Sequence, residues 1–434
     1  MEKKLYELVT DDDDGVDLSV GIGSEAAEHV PVNFGRQVIA SVASKTGDQF
    51  SKPGLILTWL LTALGAPAIT IGLLVPIREA GSLLPQLVVA NFIRRREIRK
   101  NFWVIGSALQ GVAALGMGLV ALTLEGPAAG WSVVGLLVLF SLARGVCSIS
   151  SKDLLGKTIP KTRRGRLGGL ASSISGWIAV GVAVFFIFNK AQELPASLFA
   201  GLLFAAGILW FLGAFVMARV IEKPGEVSAG AGFVQEMKES LGLVKSDPVF
   251  LKFCIARALL ASTVLSMPFY VVLAHDATGG RIRSLGILMI AGSLATALSG
   301  VIWGKSSDAS SRKTLAIAGL AAGLIGCLTA LVSTFEIGES GAGWLYGSLF
   351  FLIGLAHTGI RNGRKTYLID HATQDNRARL VAVSNTLMGI TLLLSGSFGL
   401  LAGALGERAI ILIFAILGIA GSLLAFTLPE AERT

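Results

Sequence analysis

Nine ionisable side chains interrupt otherwise largely apolar stretches of this sequence: Lys45, Asp48, Lys52, Arg78, Glu79, Arg144, Arg257, His357 and Arg361. A carboxylate removed from water favours its protonated form and can carry a proton from one compartment to another, so Asp48 and Glu79 are candidate coupling groups. His357 is a third, because imidazole titrates near neutral pH. Asp48 follows Lys45 by three residues and precedes Lys52 by four, which puts all three on one helical face. They form either a ladder that neutralises itself or a proton site. Glu79 adjoins Arg78, and neighbours on a helix point about 100° apart, so Glu79 is free to meet Lys45 or Arg257 instead. Lys45, Lys52, Arg78, Arg144, Arg257 and Arg361 outnumber the two acids. Buried bases in excess need a counter-charge, which an anionic or zwitterionic organic solute would supply.

The elements that carry these residues are apolar segments about as long as a membrane is thick. Of 434 residues, 53% are hydrophobic and 15% charged, and the mean hydropathy is +0.70. That composition describes an all-α integral membrane protein. Twelve spans are expected at 34–64, 69–92, 102–122, 131–154, 167–188, 196–221, 249–274, 284–303, 314–335, 343–369, 380–405 and 409–428. A hydrophilic tail, 1–33, carries the acidic run Asp11 to Asp14 and reads as disordered. A first bundle occupies 34–221 and a second 248–429. Between them lies a cytosolic linker, 222–247, with Phe233, Met237, Leu241 and Val244 at helical spacing, and a short tail, 430–434, closes the chain. The linker reads either as an amphipathic surface helix or as a plain connector.

The net charge of +8 does not point to nucleic acid, because the bases cluster in alternate short loops. Arg94, Arg95, Arg96, Arg99 and Lys100 lie in one, Lys157, Lys161, Arg163, Arg164 and Arg166 in another, and Arg377 and Arg379 in a third. The intervening loops carry little beyond Lys190, Arg281, Arg283 and Arg408. The positive-inside rule then places both termini in the cytoplasm, in a multi-pass protein of the inner membrane. Cys147, Cys254 and Cys327 fall inside apolar segments and read as packing residues.

The two halves repeat. Residues Phe140 through Leu167 align without gaps on Ile353 through Leu380 at an offset of 213, which also lays Arg99-Lys100 on Arg312-Lys313 and Gly176 on Gly389. Arg144 and His357 become equivalent positions, one per half, and facing each other they would hold an anion. An offset of 211 matches Ala80 to Leu83 with Ala291 to Leu294. Duplicated six-helix units with a pathway between them follow.

Between the eighth and ninth spans lies a ten-residue polar turn, Gly304-Lys-Ser-Ser-Asp308-Ala-Ser-Ser-Arg312-Lys313. Its G-x-x-x-D-x-x-x-R-[RK] spacing resembles the cytoplasmic signature of the major facilitator superfamily. In this reading Gly304 lets helix ends approach, Asp308 caps or pairs with one, and Arg312 with Lys313 pins the next helix to the anionic leaflet. The equivalent first-half loop keeps only the basic end, with Arg95, Arg99 and Lys100, so the inner gate is expected to be asymmetric. Arg144 stands where that family's fourth-helix arginine would, although Cys147 and Ser148 replace the glutamine and glycine that follow it.

The resemblance implies a secondary transporter working by alternating access, with the first, fourth, seventh and tenth helices around a central cavity and the third, sixth, ninth and twelfth facing lipid. The charges obey that division: the third, sixth, ninth and twelfth segments have uncharged cores, as they should when a charge facing lipid costs on the order of 3 kcal/mol or more. The expected partners are a small-molecule substrate, protons and the bilayer, with no nucleic acid, no metal or cofactor, and a monomeric state. Two other readings keep the fold: a lipid or lysolipid transporter, which predicts a lateral opening, and a non-transporting receptor or assembly subunit. No nucleophilic triad or metal cluster can be assembled for an enzyme.

Overall fold

The computed structural model describes residues 24–84, 92–93, 95–188, 196–224, 247–372 and 377–430, with the isolated positions 6, 22 and 89. Asp11 to Asp14, Arg94, Lys190 and most of the 222–247 linker lie outside the described residues, as do the side chains of Gly304, Asp308, Arg377 and Arg379. Among the described residues there is no strand. After the short helix Ser24–Ala27, the described residues form twelve helical rods. In the first half they are α1 (Val30–Phe50, Pro53–Leu57 and Thr58–Ala63), α2 (Ala68–Leu83), α3 (Lys100–Thr123), α4 (Gly126–Thr158), α5 (Lys161–Phe188) and α6 (Ala196–Ala218). In the second they are α7 (Pro248–Leu260 and Ser262–Ala277), α8 (Ile282–Ala309), α9 (Ser311–Val332), α10 (Glu339–His371), α11 (Arg377–Ser395 and Phe398–Leu405) and α12 (Glu407–Phe426). Ten of the helices are long and apolar enough to cross a membrane. The first two rods fall short of that measure because the 21-residue first segment of α1 is too polar, with Arg36, Lys45 and Asp48 in it, and α2 is described over 16 residues.

The break in α1 corrects the continuous span expected at 34–64. Pro53 has no amide hydrogen and disfavours helical geometry in the residue before it, and Lys52 accordingly adopts an extended conformation, φ −63° and ψ 115°. The chain recovers through a wide turn over Pro53–Leu57. There the Lys52 carbonyl accepts hydrogen bonds from the amides of Leu55, Ile56 and Leu57 at 3.2, 2.8 and 3.2 Å, and Thr58 Oγ1 donates to the Pro53 carbonyl at 2.8 Å. Irregular backbone at membrane depth is tolerated where it lines a cavity. Lys52 sits at that interruption.

A second correction concerns the polar turn. Residues 304–309 complete α8, and Ser310 alone separates it from α9. Ser310 is also the cap, its hydroxyl accepting from the Lys313 amide at 3.1 Å. The polar composition of the segment had suggested a loop, but a helix end projecting beyond the hydrocarbon is equally polar.

The outward faces of α3 and α9 carry exposed leucine and isoleucine, including Ile105, Leu119, Leu324 and Leu331, as a lipid-facing surface requires. Those two helices pack closely on α6 and α12. The bundles meet along α2 and α11 and, near the start of α2, between further pairs of helices. There α2 touches α11 so closely that a Cβ on Gly72 would lie 2.5 Å from Gly399 Cα, α5 touches α8 at Ala183 and Gly286, and Trp59 of α1 packs edge-on against His275 of α7 at 5.0 Å. Only glycine permits backbones to approach so nearly. This sealed end lies opposite the basic loops.

Candidate functional site

Asp48, on the last turns of α1 before its break, is clasped by two guanidinium groups. Arg78 Nη2 of α2 donates to it at 2.7 Å, and Arg144 Nη1 of α4 contacts both of its oxygens. Arg78 also lies over the Phe140 ring, 5.0 Å from its centroid. The ladder of Lys45, Asp48 and Lys52 does not form. Lys45 turns to α5, where it donates to Ser172 Oγ and to the Gly168 carbonyl, while the break at Pro53 carries Lys52 away from the acid. Planar guanidinium forks satisfy a carboxylate better than a single ammonium can.

Lys52 faces the other bundle, beside Arg361 and His357 of α10. Arg364, one turn beyond Arg361, neighbours His357, Arg257 and Glu79, and Lys365 stands near Arg361, Arg364 and Lys152 of α4. Among the described residues, no carboxylate lies within ion-pair distance of Lys52, Arg361, Arg364 or Lys365. Arg257 donates to Ser384 and, at 3.0 Å, to Asn385 of α11. Its Nε and the Nδ1 of His357 are buried without a hydrogen-bond partner among the described residues. Glu79 is exposed and forms no ion pair there, its nearest charges being Arg78, Arg144 and Arg364. It meets neither Lys45 nor Arg257. Arg144 and His357, equivalent in the repeat, are not brought face to face: the first is occupied by Asp48 and the second by a ring of cations.

Sequence reasoning missed Arg364, Lys365 and Lys152. Arg361, Arg364 and Lys365 stand three and four residues apart, one helical face. That signal is present in the sequence, but bases near the end of a span are ordinary.

At the end that carries the basic loops, the basic residues hold protein. Glu222, whose side chain is fully buried, accepts from the amides of Arg99 and Lys100 at the start of α3 at 2.9 and 2.7 Å and from Lys157 Nζ at 3.0 Å. Arg99 also pairs with Asp153 at 3.1 Å. Glu430 does the same in the second half, accepting from Ser310 and Arg312 at 2.9 and 2.7 Å, while Arg312 donates to the Phe426 and Leu428 carbonyls. Burial would raise the Glu430 carboxyl, but the Ser310 hydroxyl and Arg312 hold it below the usual carboxylate range. Each half therefore fastens its sixth helix to the start of its third. Arg95 and Lys313 remain exposed. The start of α7 is fixed by Asp247, which accepts from the Phe250 amide at 2.8 Å and meets His371 Nε2 at 2.8 Å. Burial would raise that carboxyl too, but the Phe250 amide and the His371 ring keep it low.

Glu222→Ala leaves Lys157 and two helix-terminal amides without their acceptor, which should destabilise the protein by about 2–3 kcal/mol. A thermal midpoint unchanged in the variant, measured in detergent, would refute the fastening role.

A cavity of about 770 Å³ lies between α1, α5 and α8, with Lys45, Asp48, Gln49 and Lys52 on its α1 wall. Its α1 wall belongs to the charged seam.

Residues 268–434 match the family model described as Major Facilitator Superfamily. Among solved structures, the chain is similar to a D-xylose–proton symporter, with a TM-score of 0.68, 15% identity, and 92% of this chain and 99% of that one covered. It is similar also to the nucleoside transporter NupG, with a TM-score of 0.67, 11% identity and 91% and 98% covered. Curated relatives are uncharacterised proteins of Mycobacterium tuberculosis and Mycobacterium bovis, 21% identical over 292 residues, or 64% of this chain. The match spans 56% of those relatives' length.

Proposed function

We propose that this chain, whose fold is that of the major facilitator superfamily, is a secondary transporter that moves an organic anion or zwitterion across the inner membrane by alternating access, as a monomer with both termini cytoplasmic. The observation that carries the reading is the group formed by Lys52, Arg361, Arg364 and Lys365, cations from both bundles with no acid paired to them among the described residues. Like charges held together across a seam destabilise the closed arrangement unless a counter-charge joins them. A bound anion supplies it and draws the bundles together around itself. Structural neighbours described as a xylose–proton symporter and a nucleoside transporter are consistent with a small solute as cargo.

Proton coupling follows from the same charges. Protonating Asp48 would break its pairs with Arg78 and Arg144, whereas Glu79 is exposed and, among the described residues, breaks no ion pair on taking a proton. Glu79 and an incoming anion share Arg364 as neighbour. An anion arriving there sets a second negative charge beside Glu79, which favours protonation of the carboxylate. Anion and proton then bind together, and affinity rises as pH falls. Asp48 becomes a structural acid.

A thermal-shift screen of phosphate monoesters, dicarboxylates and amino acids identifies the cargo class, since a ligand at about a hundred times its Kd stabilises by about 2.7 kcal/mol. With the best of these in proteoliposomes, Glu79→Gln should abolish uptake driven by a pH gradient while leaving counterflow exchange. Concentrative uptake that survives in Glu79→Gln removes the coupling claim, and a screen in which no anion stabilises the protein removes the anion claim.

A further inference from the structure

Resting on the reading of the seam as an anion site, we propose that its cargo is a single-chain amphiphile with a phosphate-type headgroup, admitted sideways from the bilayer through a slot between α5 and α8. These helices touch near the sealed end, where a Cβ on Gly286 would lie 2.7 Å from the Ala183 carbonyl oxygen. Beyond that contact they part, and the cavity opens between their middle turns. Both helices are 28 residues long, so their midpoints lie at the depth of hydrocarbon rather than water. A purely aqueous ligand has no use for a doorway there.

The walls match the two ends of such a molecule. At the mouth stand Trp177, 75% exposed, and Leu294, 46% exposed. Along α5 the surface is smooth, with Ser173 exposed and open space beside Gly176, which leaves a track for an alkyl chain. At the inner end is Lys52, with Arg361 behind it. An unpaired ammonium at the end of a slot facing hydrocarbon is costly unless a headgroup covers it. A phosphate monoester brings a charge of about −1.5 to −2 and three acceptor oxygens, which suits a group of several unpaired cations better than one carboxylate does. The volume falls within the range of roughly 300–1,000 Å³ usual for small-molecule sites, room for a headgroup and one chain.

The test uses the full chain in lipid nanodiscs and three probes: oleoyl lysophosphatidic acid, glycerol phosphate and oleyl alcohol. The lysophosphatidic acid should bind at least a hundredfold more tightly than either of the others. Gly176→Phe, whose Cβ would have no protein atom within 4 Å, and independently Ser173→Phe should each weaken its binding tenfold or more. If glycerol phosphate binds as tightly as the lysolipid and neither variant changes the lysolipid's affinity, the amphiphile and its slot are wrong while the anion site stands. If oleyl alcohol binds equally well, the headgroup has no role and the proposal fails. If neither phosphate binds, the anion reading beneath it fails as well.

Discussion

Asp48→Asn is expected to abolish transport and to lower the thermal midpoint, whereas Glu79→Gln should leave the midpoint where it is. Removing one partner from a buried ion pair costs about 3–5 kcal/mol, most of it from the charge left behind. Asp48 is 23% exposed and Arg78 10%, so part of that penalty is relieved by water and about 2–3 kcal/mol remains. For a chain of this length that corresponds to a midpoint lowered by roughly 5 °C. Asparagine keeps the shape and one acceptor oxygen, but it leaves Arg78 and Arg144 facing each other with no negative charge between them. These two arginines sit on different helices, α2 and α4, and Asp48 on a third, so the loss loosens the packing of the first bundle. Because the three act as a unit, adding Arg144→Gln to Asp48→Asn should restore part of the lost stability rather than add to the loss. Additive destabilisation in the double variant would show that the triad is not coupled. An Asp48→Asn protein that melts and transports normally would show that it is not needed.

The contrast between the two carboxylates could not be drawn from the sequence, and the reason is geometric. Which helices carry charge was legible, since hydropathy is a local property and the segments of α3, α6, α9 and α12 have uncharged cores. The duplication was legible too, because one offset serves several separated stretches. Partner choice is another matter. Lys45, Asp48 and Lys52 share a face only while α1 is continuous, and the break at Pro53 separates Lys52 from that face. The proline was visible, but an apolar run from 34 to 64 invites a straight helix through it. Glu222 and Glu430 lie just past the ends of apolar segments and resemble ordinary linker and tail residues. Their meaning depends on α6 ending beside the start of α3, and α12 beside the start of α9, which is a fact of packing alone. The same limit applies to Gly304 through Ala309, whose composition fits a loop or a protruding helix end equally well.

The arginines of α10 separate binding from coupling. Arg361→Gln removes a cation that faces Lys52 and no carboxylate, so anion affinity should fall while its dependence on pH persists. Arg364→Gln removes the cation shared with Glu79, so affinity and pH dependence should both go. A hydrogen bond to a charged group contributes about 1.5–3 kcal/mol, which makes each loss roughly 10- to 100-fold in Kd. In the intact protein, uptake of a proton with the anion makes affinity depend on pH. The sign is fixed by the linkage: the bound state holds more protons, so tight binding belongs to low pH. Equilibrium binding measured from pH 5 to 8 therefore yields a steep line for the intact protein, a parallel line displaced to weaker binding for Arg361→Gln, and a shallow one for Arg364→Gln and for Glu79→Gln. Arg364→Lys keeps the charge and should recover the slope before it recovers the affinity, because an ammonium neutralises Glu79 but cannot grip an oxyanion with two parallel hydrogen bonds. Parallel lines for all four variants would mean that proton and anion do not meet at Arg364, and coupling would have to be sought elsewhere in the seam.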